Sequence, residues 1–578
     1  MSLFLMTLTL FLHSFAIPAP LPVSAFVAEE HLLAAYYVSP SGDDQAAGSF
    51  EDPWQTIQHA VTNASVQPGD TIYVLPGRYA ENIVWTAKDG GVSGAPGRPV
   101  TIAAYDPEAP PIISGPEQTT QLMIRDRSHL IIDGLVFADY LGGGLLVMAE
   151  DGAVTDIKIR NNRFLRQAVD EKNYWWNVIN IYGPTPQNSV SYVEIVGNEF
   201  IDTVTGYPGQ ANENCSLTGN VHHALIEDNL FRRVSNIAID LLGKAEKGII
   251  GQPAYVIVRN NRFETVYPGL GIGKAVYFDG AAGPVLVEGN YTQDAMGIST
   301  NIEAFHNGDN EFRHYLLRNN VVDNRDYDID VSLKIGSASY GNTEPWPVEP
   351  DHVVAVHNVV LNSASTAPLF WGQGSNFRFK NNVVAAYGAN AVSGANTRNF
   401  ADASDWISNG NLYYSAENPT QFVWPGFGVY DSLATLQRTT KQEMNSLTGV
   451  PHFVDDDKGD YRLQPFSPGY AQGIPLTFAV NDGQDSTLLA VEDAGYFFDG
   501  FDMAPGDVIR LNNRDISIAH VDYDTNTITL AEPADWTTGS SVWYAVSGEL
   551  PSMGIAETVD CAPFFLCWLR YTYRSLDR

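Results

Sequence analysis

An eight-residue pattern recurs through the middle of this sequence, and its sixth position is always Asn. Each copy alternates apolar and polar residues over four positions, turns at the Asn and resumes with an apolar residue. Alternation predicts a β-strand, and Asn tolerates the left-handed backbone of a tight corner. The copies begin at Ile157, Val193, Ala224, Val256, Val285, Tyr315, Val353 and Phe377, and their Asn residues are Asn162, Asn198, Asn229, Asn261, Asn290, Asn320, Asn358 and Asn382.

A turn at the same point of every copy predicts a solenoid of stacked β-coils. In such a stack each Asn side chain lies against the next and hydrogen-bonds to backbone above and below it. Leucine-rich repeats need regular Leu spacing and a shorter period, and helical repeats do not fit the β-branched residues and the Asn and Gly turns. Degenerate copies of the pattern, beginning at Leu130 and Asp405, mark the two ends of the array.

The start of the chain is apolar through about Ile17 and is followed by a small-residue site, Val23-Ser24-Ala25. This pattern predicts an export signal that is cut near Ala25, although no Lys or Arg precedes the apolar run. No later stretch is long and apolar enough to cross a bilayer. We interpret Cys215 as a small buried core residue, whereas Cys561 and Cys567 are candidates for pairing.

Acidic residues outnumber basic ones by 67 to 33, which gives a formal net charge of -34. This balance argues against partners such as nucleic acids or anionic membranes, because both need clustered Lys and Arg. A polyanionic substrate would need a local basic patch or a bridging cation. Bound Ca²⁺ is a candidate cofactor, since hard cations prefer oxygen ligands.

Together with the Asn pattern, the segment from Tyr36, "YYVSPSGDDQAAGSF", resembles the N-terminal cap of exported bacterial right-handed parallel β-helix proteins of the pectin lyase-like superfamily. The resemblance implies a short capping helix over residues 54–64. Segments from His452 and at 550–557 resemble the closing coil and the terminal signature of the same proteins. The implied fold class is all-β: a right-handed parallel β-helix solenoid with an N-terminal capping helix and a small C-terminal β-domain.

The predicted boundaries follow from these segments. We expect a signal peptide at 1–25, the N-terminal cap and first coils at 26–115, the parallel β-helix at 116–475 and the small β-domain at 476–557. The tail, 558–578, has no assigned role. We expect a monomer.

Three acids are the candidate catalytic group. In "NIAIDLLG", "KAVYFDG" and "GISTNIEA", alternation places Asp240, Asp279 and Glu303 on the outward faces of three consecutive coils. Each acid is offset by two residues from the previous one, so neighbouring carboxylates are roughly 8 Å apart. This separation suits an inverting glycosidase, whose carboxylates are roughly 6.5–9.5 Å apart. The alternative for Asp279, which precedes Gly280, is a turn role.

Aromatic side chains in the long loops are candidate platforms for sugar rings. Packing of the loops onto the coils is the alternative interpretation of each of them. The candidate substrate-binding residues are Trp175, Trp176, Tyr207 and Tyr277, with Glu213 and His223 as further cleft residues.

We therefore predict a secreted, periplasmic or cell-surface enzyme that cleaves glycosidic bonds in an extracellular polysaccharide by carboxylate acid/base hydrolysis. The first alternative is a Ca²⁺-dependent uronate lyase, in which Lys274 is the candidate base. Lys274 otherwise occupies a solvated corner. The second alternative is a non-catalytic, glycan-binding solenoid. The calcium-binding aspartates of family-9 pectate lyases and the signatures of polygalacturonases and mannuronan epimerases are absent from the sequence, so the resemblance is more specific for fold than for reaction.

Overall fold

The computed structural model describes residues 33–556, with gaps at 117–118, 168–176, 204–212, 244–250, 269–272, 301–312, 330, 337–349, 364–368, 373, 388–391, 395–404, 417–420, 425–427 and 547–549. Within this part, the chain from Ala34 onward forms one compact unit. The predicted export signal, Cys561, Cys567 and the tail lie outside the described residues.

The solenoid prediction is confirmed, because successive coils add strands to three parallel sheets, which we number in the order in which the chain visits them within a coil. The described strands of sheet 1 are Ala35–Val38, Thr71–Val74, Val100–Ala104, Leu130–Asp133, Val154–Arg160, Val190–Val196, Val221–Glu227, Ala254–Arg259, Val285–Glu288, Arg313–Arg318, Asp351–Val356, Arg378–Lys380 and Ile407–Asn409.

Sheet 2 follows the Asn turns. Its described strands are Arg78–Tyr79, Ile112–Ile113, Val136–Ala138, Arg163–Leu165, Glu199–Ile201, Leu230–Ser235, Arg262–Tyr267, Tyr291–Gln293, Val321–Asn324, Val359–Asn362, Val383–Ala386, Leu412–Ser415 and Leu447–Thr448. Sheet 3 completes each coil. Its described strands are Ile83–Thr86, Leu122–Arg125, Leu145–Met148, Ile179–Gly183, Glu213–Gly219, Ile237–Leu242, Lys274–Tyr277, Met296–Ser299, Leu333–Ile335 and Leu369–Trp371.

The Asn position of the repeat forms a continuous ladder of buried Asn side chains. At Asn229 the backbone N–H and the side-chain amide both donate to Oδ1 of Asn261, at 3.0 and 2.9 Å. The same amide donates to the carbonyl of Ile195 at 2.8 Å. The ladder runs from Asn162 to Asn411. Backbone hydrogen bonds on both sides were predicted; the structure shows side-chain bonds to the backbone of the preceding coil and a side-chain bond to the Asn of the next coil.

Each end of the Asn ladder has its own termination. At the first end, Leu135 replaces Asn and donates its backbone N–H to Asn162. At the other end the buried carboxylate of Glu443 accepts from the amide of Asn411 at 3.1 Å and from the hydroxyl of Tyr413 at 2.7 Å. Burial raises the pKa of Glu443, and its hydrogen bonds oppose that rise. The degenerate repeat copies therefore end the ladder.

Inside the coils, the eighth position of the early repeats forms a second stack. Successive Phe rings lie face to face with centroids 4.4–5.1 Å apart and are fully buried, namely Phe137, Phe164, Phe200, Phe231 and Phe263. Cys215 is buried in the same core and is a free thiol, as predicted.

The N-terminal helix is Ile57–Thr62, shorter than the predicted 54–64. Its N-cap is Thr56, whose side chain accepts from the N–H of His59. The carboxylate of Glu81 accepts from the N–H groups of Ile57 and Gln58, which have no partner within the helix. Ile57 and Val61 are buried against the first coil. The helix therefore covers the apolar end of the solenoid.

Beyond the last coils the chain forms short elements and then a separate sheet. The described elements are Val392–Gly394, Gln421–Trp424 and Gly428–Tyr430, helix Leu433–Thr440, strands Phe453–Asp455 and Asp460–Leu463, and the 3-10 turn Asp456–Lys458. The C-terminal domain is a six-stranded antiparallel sheet in the order Thr477–Phe478, Ser541–Tyr544, Val508–Leu511, Arg514–Asp522, Thr527–Trp536 and Gly483–Ala490.

The C-terminal domain packs against the outer face of sheet 1. One outward row of that face is apolar and shares a core with the domain: Leu225, Ile257, Leu286, Leu316 and Val354. Beside this row, Arg318 forms two hydrogen bonds of 2.7 Å with the carboxylate of Asp507. The domain thus lies along the solenoid and covers part of one sheet.

Candidate functional site

Strand register places the candidate residues of sheet 3 in neighbouring positions. Asp240 pairs with Ser216 on one side and Tyr277 on the other. Tyr277 pairs with Ser299, which in turn pairs with Lys334. The residues that flank them along each strand, such as Ile239 and Val276, belong to the solenoid core. Because alternate residues of a strand face opposite sides, this row faces outward.

The outward row is nevertheless well covered. Asp240 is 1% exposed, Tyr277 is 3% exposed and Lys334 is 6% exposed. Charged groups are rarely buried to this degree without a counter-charge. Lys274 lies on the strand next to that of Asp240, and Lys334 lies three strands from it.

One lysine contacts Tyr277, and a second lies further along the outward row. Nζ of Lys274 lies 4.7 Å from the centroid of the Tyr277 ring, a cation–π contact made within one strand. Lys334 lies two coils further along the outward row. This face therefore carries two basic groups beside the acids Glu213, Asp240 and Asp279.

Asp279 follows strand Lys274–Tyr277 at a bend and is half-buried. Its backbone carbonyl accepts a hydrogen bond of 2.8 Å from the N–H of Gly243, which joins two coils. Gly280, with φ of +95°, has the left-handed backbone that completes the turn. Asp279 thus has a backbone role in the turn, and its side chain lies two residues beyond the partner of Asp240.

Polar side chains continue the face toward the N-terminal coils. The hydroxyls of Ser216 and Thr218 are 3.0 Å apart, and Thr218 donates to Oδ1 of Asn180 at 3.1 Å. In the other direction, the buried hydroxyl of Ser299 has no hydrogen-bond partner among the described residues.

Of the remaining candidates, some lie within the described residues and others do not. Glu213 is nearly buried at the start of strand Glu213–Gly219, and its register partner Ile237 is also the partner of Lys274. Trp175, Trp176, Tyr207 and Glu303 lie outside the described residues.

His223 lies on sheet 1, not on sheet 3. Its ring is stacked between Tyr192 and Tyr255, with centroids 4.9 Å from each. Burial lowers the pKa of His223, and the nearby carboxylate of Asp502 opposes the shift. The structure therefore does not bring His223 together with Asp240 and Asp279. The sequence did not show which face of its strand His223 occupies, because its φ of +58° interrupts the strand alternation.

No family model matches the chain. Protein YwoF of Bacillus subtilis (strain 168), described as uncharacterized, is 26% identical over 485 residues, covering 75% of this chain and 91% of YwoF. Pectate lyase PEL9 of Emericella nidulans is 31% identical over 181 residues, covering 29% of this chain and 40% of the lyase. Among solved structures, pectate lyase Pel9A is 14% identical with a TM-score of 0.38, covering 76% of this chain and 92% of that one.

The three parallel sheets, joined coil by coil in one register, decide the architecture. This chain has the right-handed, pectin lyase-like β-helix fold. Within the pectin lyase-like fold, the candidate group occupies the outer face of sheet 3. No helix in the described ranges is both long and apolar enough to cross a membrane.

A lyase with the pectin lyase-like fold would imply bound Ca²⁺. Across the described ranges, no three His, Cys, Asp or Glu side chains are grouped so that they could hold a metal ion. Ca²⁺ takes about six to eight oxygen ligands. Of the three acids predicted as the catalytic group, the structure describes two, Asp240 and Asp279. The described side chains by themselves do not make a Ca²⁺ site.

Sequence reasoning missed Lys334 and Ser299 as members of the candidate site. Lys334 stands between two core residues, Leu333 and Ile335, in the short run "LKI". A lone Lys inside an apolar strand was the available signal. The run is only three residues long, so its alignment with Tyr277 could be read only from the strand pairing.

Proposed function

We propose that this protein is an exported enzyme that cleaves a uronate-containing polysaccharide by β-elimination at the outer face of sheet 3. One observation carries the proposal: Asp240, Tyr277, Ser299 and Lys334 form one outward row on four consecutive coils, and Nζ of Lys274 lies 4.7 Å from the Tyr277 ring. Clustered titratable groups of this kind are typical of catalytic sites. The partial match to a pectate lyase agrees with this class of reaction.

The overall charge of the chain makes the two lysines decisive for substrate class. A net charge of -34 repels a polyanion over most of the surface. Productive binding of a uronate chain then requires cations at the point of contact. Lys334 supplies a cation in the outward row, and Lys274, beside Tyr277, is left to act as the base.

The proposed step balances with these residues alone. Lys274, in its neutral form, takes the proton from the carbon beside the uronate carboxylate, whose charge Lys334 neutralises. The released electron pair forms a carbon–carbon double bond as the bond from the neighbouring carbon to the glycosidic oxygen breaks. Tyr277 donates a proton to the departing oxygen and regains it from solvent, to which Lys274 returns its own. The products are an unsaturated sugar and a new reducing end.

Hydrolysis by Asp240 and Asp279 is the second candidate. Asp240 pairs with Tyr277, and Asp279 lies two residues beyond that partner on the next coil. An offset of one coil and two residues corresponds to roughly 8 Å. That separation leaves room for a water between an acid and a base, as inverting glycosidases require. Glu303 belongs to this candidate group by sequence.

The test is turnover on a panel of uronate and neutral polysaccharides, assayed with and without Ca²⁺. We expect ultraviolet absorbance from unsaturated products on a uronate polymer, and at least a roughly hundredfold loss of kcat in Lys274→Ala, since a general base contributes about that much. Lys88→Ala, whose side chain is 74% exposed on another coil, is the matched control and retains full activity.

Other outcomes separate the alternatives. Reducing ends without absorbance, lost in Asp279→Asn but kept in Lys274→Ala, would replace elimination by hydrolysis. Glycan binding without any product on the whole panel would favour a non-catalytic solenoid. Equal activity of Lys274→Ala and wild type would remove Lys274 from the mechanism.

A further inference from the structure

A row of rings follows the outer face of sheet 1 and stops at Tyr192. His223 and Tyr255 continue the stack toward the C-terminal domain, where the edge of Phe501 meets Tyr255 at 5.7 Å. On the coil before Tyr192, the equivalent outward position is Asp156, which also has a positive φ. One face of the Tyr192 ring is therefore stacked on His223, and the other is directed toward Asp156.

A cavity of about 370 Å³ lies beside the Tyr192 ring. Two segments distant in sequence close it from either side. A tight turn with Pro96 and Gly97 at its tip forms one wall, and Asp502 and Met503 of the C-terminal domain form another. Tyr192 is 41% exposed although it is flanked by these walls. The cavity is thus built jointly by the first coils, the middle of sheet 1 and the C-terminal domain.

The floor of the cavity is polar. Asp156 contacts Nδ1 of His129 at 3.0 Å, and Glu194 accepts from Lys158 at 2.6 Å. These pairs hold the carboxylates in position. An ionised carboxylate has about four lone-pair sites, so each of them keeps capacity to accept further hydrogen bonds.

We infer that this cavity binds a neutral sugar residue of a glycan, as a second site on a different sheet from the proposed catalytic face. An aromatic face beside fixed carboxylates suits a sugar ring, because its C–H face packs on the aromatic ring and its hydroxyls donate to the carboxylates. The lining carries three carboxylates, Asp156, Glu194 and Asp502, against the single amine of Lys158. This charge disfavours a uronate.

Binding at the second site would hold the enzyme on neutral regions of a polysaccharide and raise the effective concentration of cleavable linkages at sheet 3. The inference does not depend on the reaction proposed for sheet 3. It requires only that neutral glycan binds at Tyr192.

The test is calorimetric titration of the full-length protein with hexasaccharides of glucose, xylose, mannose and galactose, and with hexagalacturonate as the acidic probe. We expect one or more neutral hexasaccharides to bind, and Tyr192→Ala to weaken that binding by up to about tenfold, the value of one aromatic contact. Tyr470→Ala is the control, since Tyr470 is equally exposed, at 41%, but lies outside the cavity.

A second variant separates the two sites. Lys274→Ala retains neutral-glycan binding if the cavity is the binding site. Three results would overturn the inference: no binding of any neutral hexasaccharide, tighter binding of hexagalacturonate that depends on Tyr192, or equal affinities of Tyr192→Ala and wild type. Failure of the lyase proposal would leave these results unchanged.

Discussion

His314 lies on sheet 1 beneath the C-terminal domain, and its ring stacks on Tyr523 with centroids 4.8 Å apart. Burial lowers the pKa of His314 to about 4; electrostatic interactions with His352 and Arg313 act in the same direction, and those with Asp351 and Asp524 oppose them. An ordinary His has a pKa of about 6.5, so the unfolded chain takes up this proton first. The neutral ring therefore stabilises the fold above about pH 6.5, and this stability is lost as the pH falls toward about 4.

We expect His314→Asn to reduce this pH dependence. Asn suits the site because residue 314 has a φ of +65°. Between pH 7.5 and pH 5, the wild type should lose about 2 kcal/mol more unfolding free energy than the variant. Urea unfolding at the two pH values measures the difference. His452→Asn, at an exposed position, serves as the control, and equal pH dependence of wild type and His314→Asn would contradict the assignment.

At the scale of the element, the Asn ladder explains how one short pattern orders many coils. Each Asn accepts from the backbone of the coil before it and donates to a carbonyl there, so the corner of every coil is satisfied by its neighbour. Buried backbone groups at a corner have no sheet partner, and an unpaired one costs free energy. The ladder therefore sets the register from which the rows of sheet 3 follow.

Asn229→Ala tests the ladder in its interior. The substitution leaves the N–H of Asn198 and the carbonyl of Ile195 without these partners, and we expect a loss of about 3 kcal/mol in unfolding free energy. Asn445→Ala, at an exposed turn, should change stability by less than about 0.5 kcal/mol. Denaturant unfolding monitored by Trp fluorescence gives both values. A small effect at Asn229 would mean that the corner hydrogen bonds are replaced by water.

At the scale of the whole molecule, the C-terminal domain is held on sheet 1 by an apolar row and by buried ionic contacts, among them Arg318 with Asp507 and Arg378 with Asp493. Arg318 donates twice to Asp507 and once, at 2.8 Å, to Glu288. Removing one member of a buried ion pair leaves the other charge buried without its partner. The same domain supplies Asp502 and Met503 to the cavity beside Tyr192, so docking and the second site are linked.

Asp507→Ala should therefore destabilise the protein by about 3–5 kcal/mol and weaken docking. Limited proteolysis near residue 476 should become faster, and neutral-glycan binding should decline with it. Asp515→Ala removes a partly exposed pair with Arg510 in the same domain and should cost less than about 1 kcal/mol. Unchanged proteolysis of Asp507→Ala would show that the pair with Arg318 is not needed for docking.

The site could be predicted only in part from the sequence. Alternation around apolar core positions was enough to expect Asp240 and Asp279 on outward faces, because parity is a local property of a strand. Alternation did not identify Lys334 as a member of the site, because its strand is short. It also did not show that His223 lies apart from the site, because the positive φ of His223 breaks the alternation of its strand. The catalytic roles of all these residues stay predictions.

What the sequence by itself determined was the solenoid. The repeated segments predict the coil corners and the strand pattern, and one separate segment from Tyr36 predicts the capped N-terminal end. One further signal was present, because the second position of the repeat is charged in Lys158, Glu194 and Arg378 but apolar in the five copies between them. Only the tertiary structure showed that the C-terminal domain covers this stripe. It alone brought Gly97 and Asp502 to one cavity, because such contacts depend on how whole segments pack and leave no local pattern.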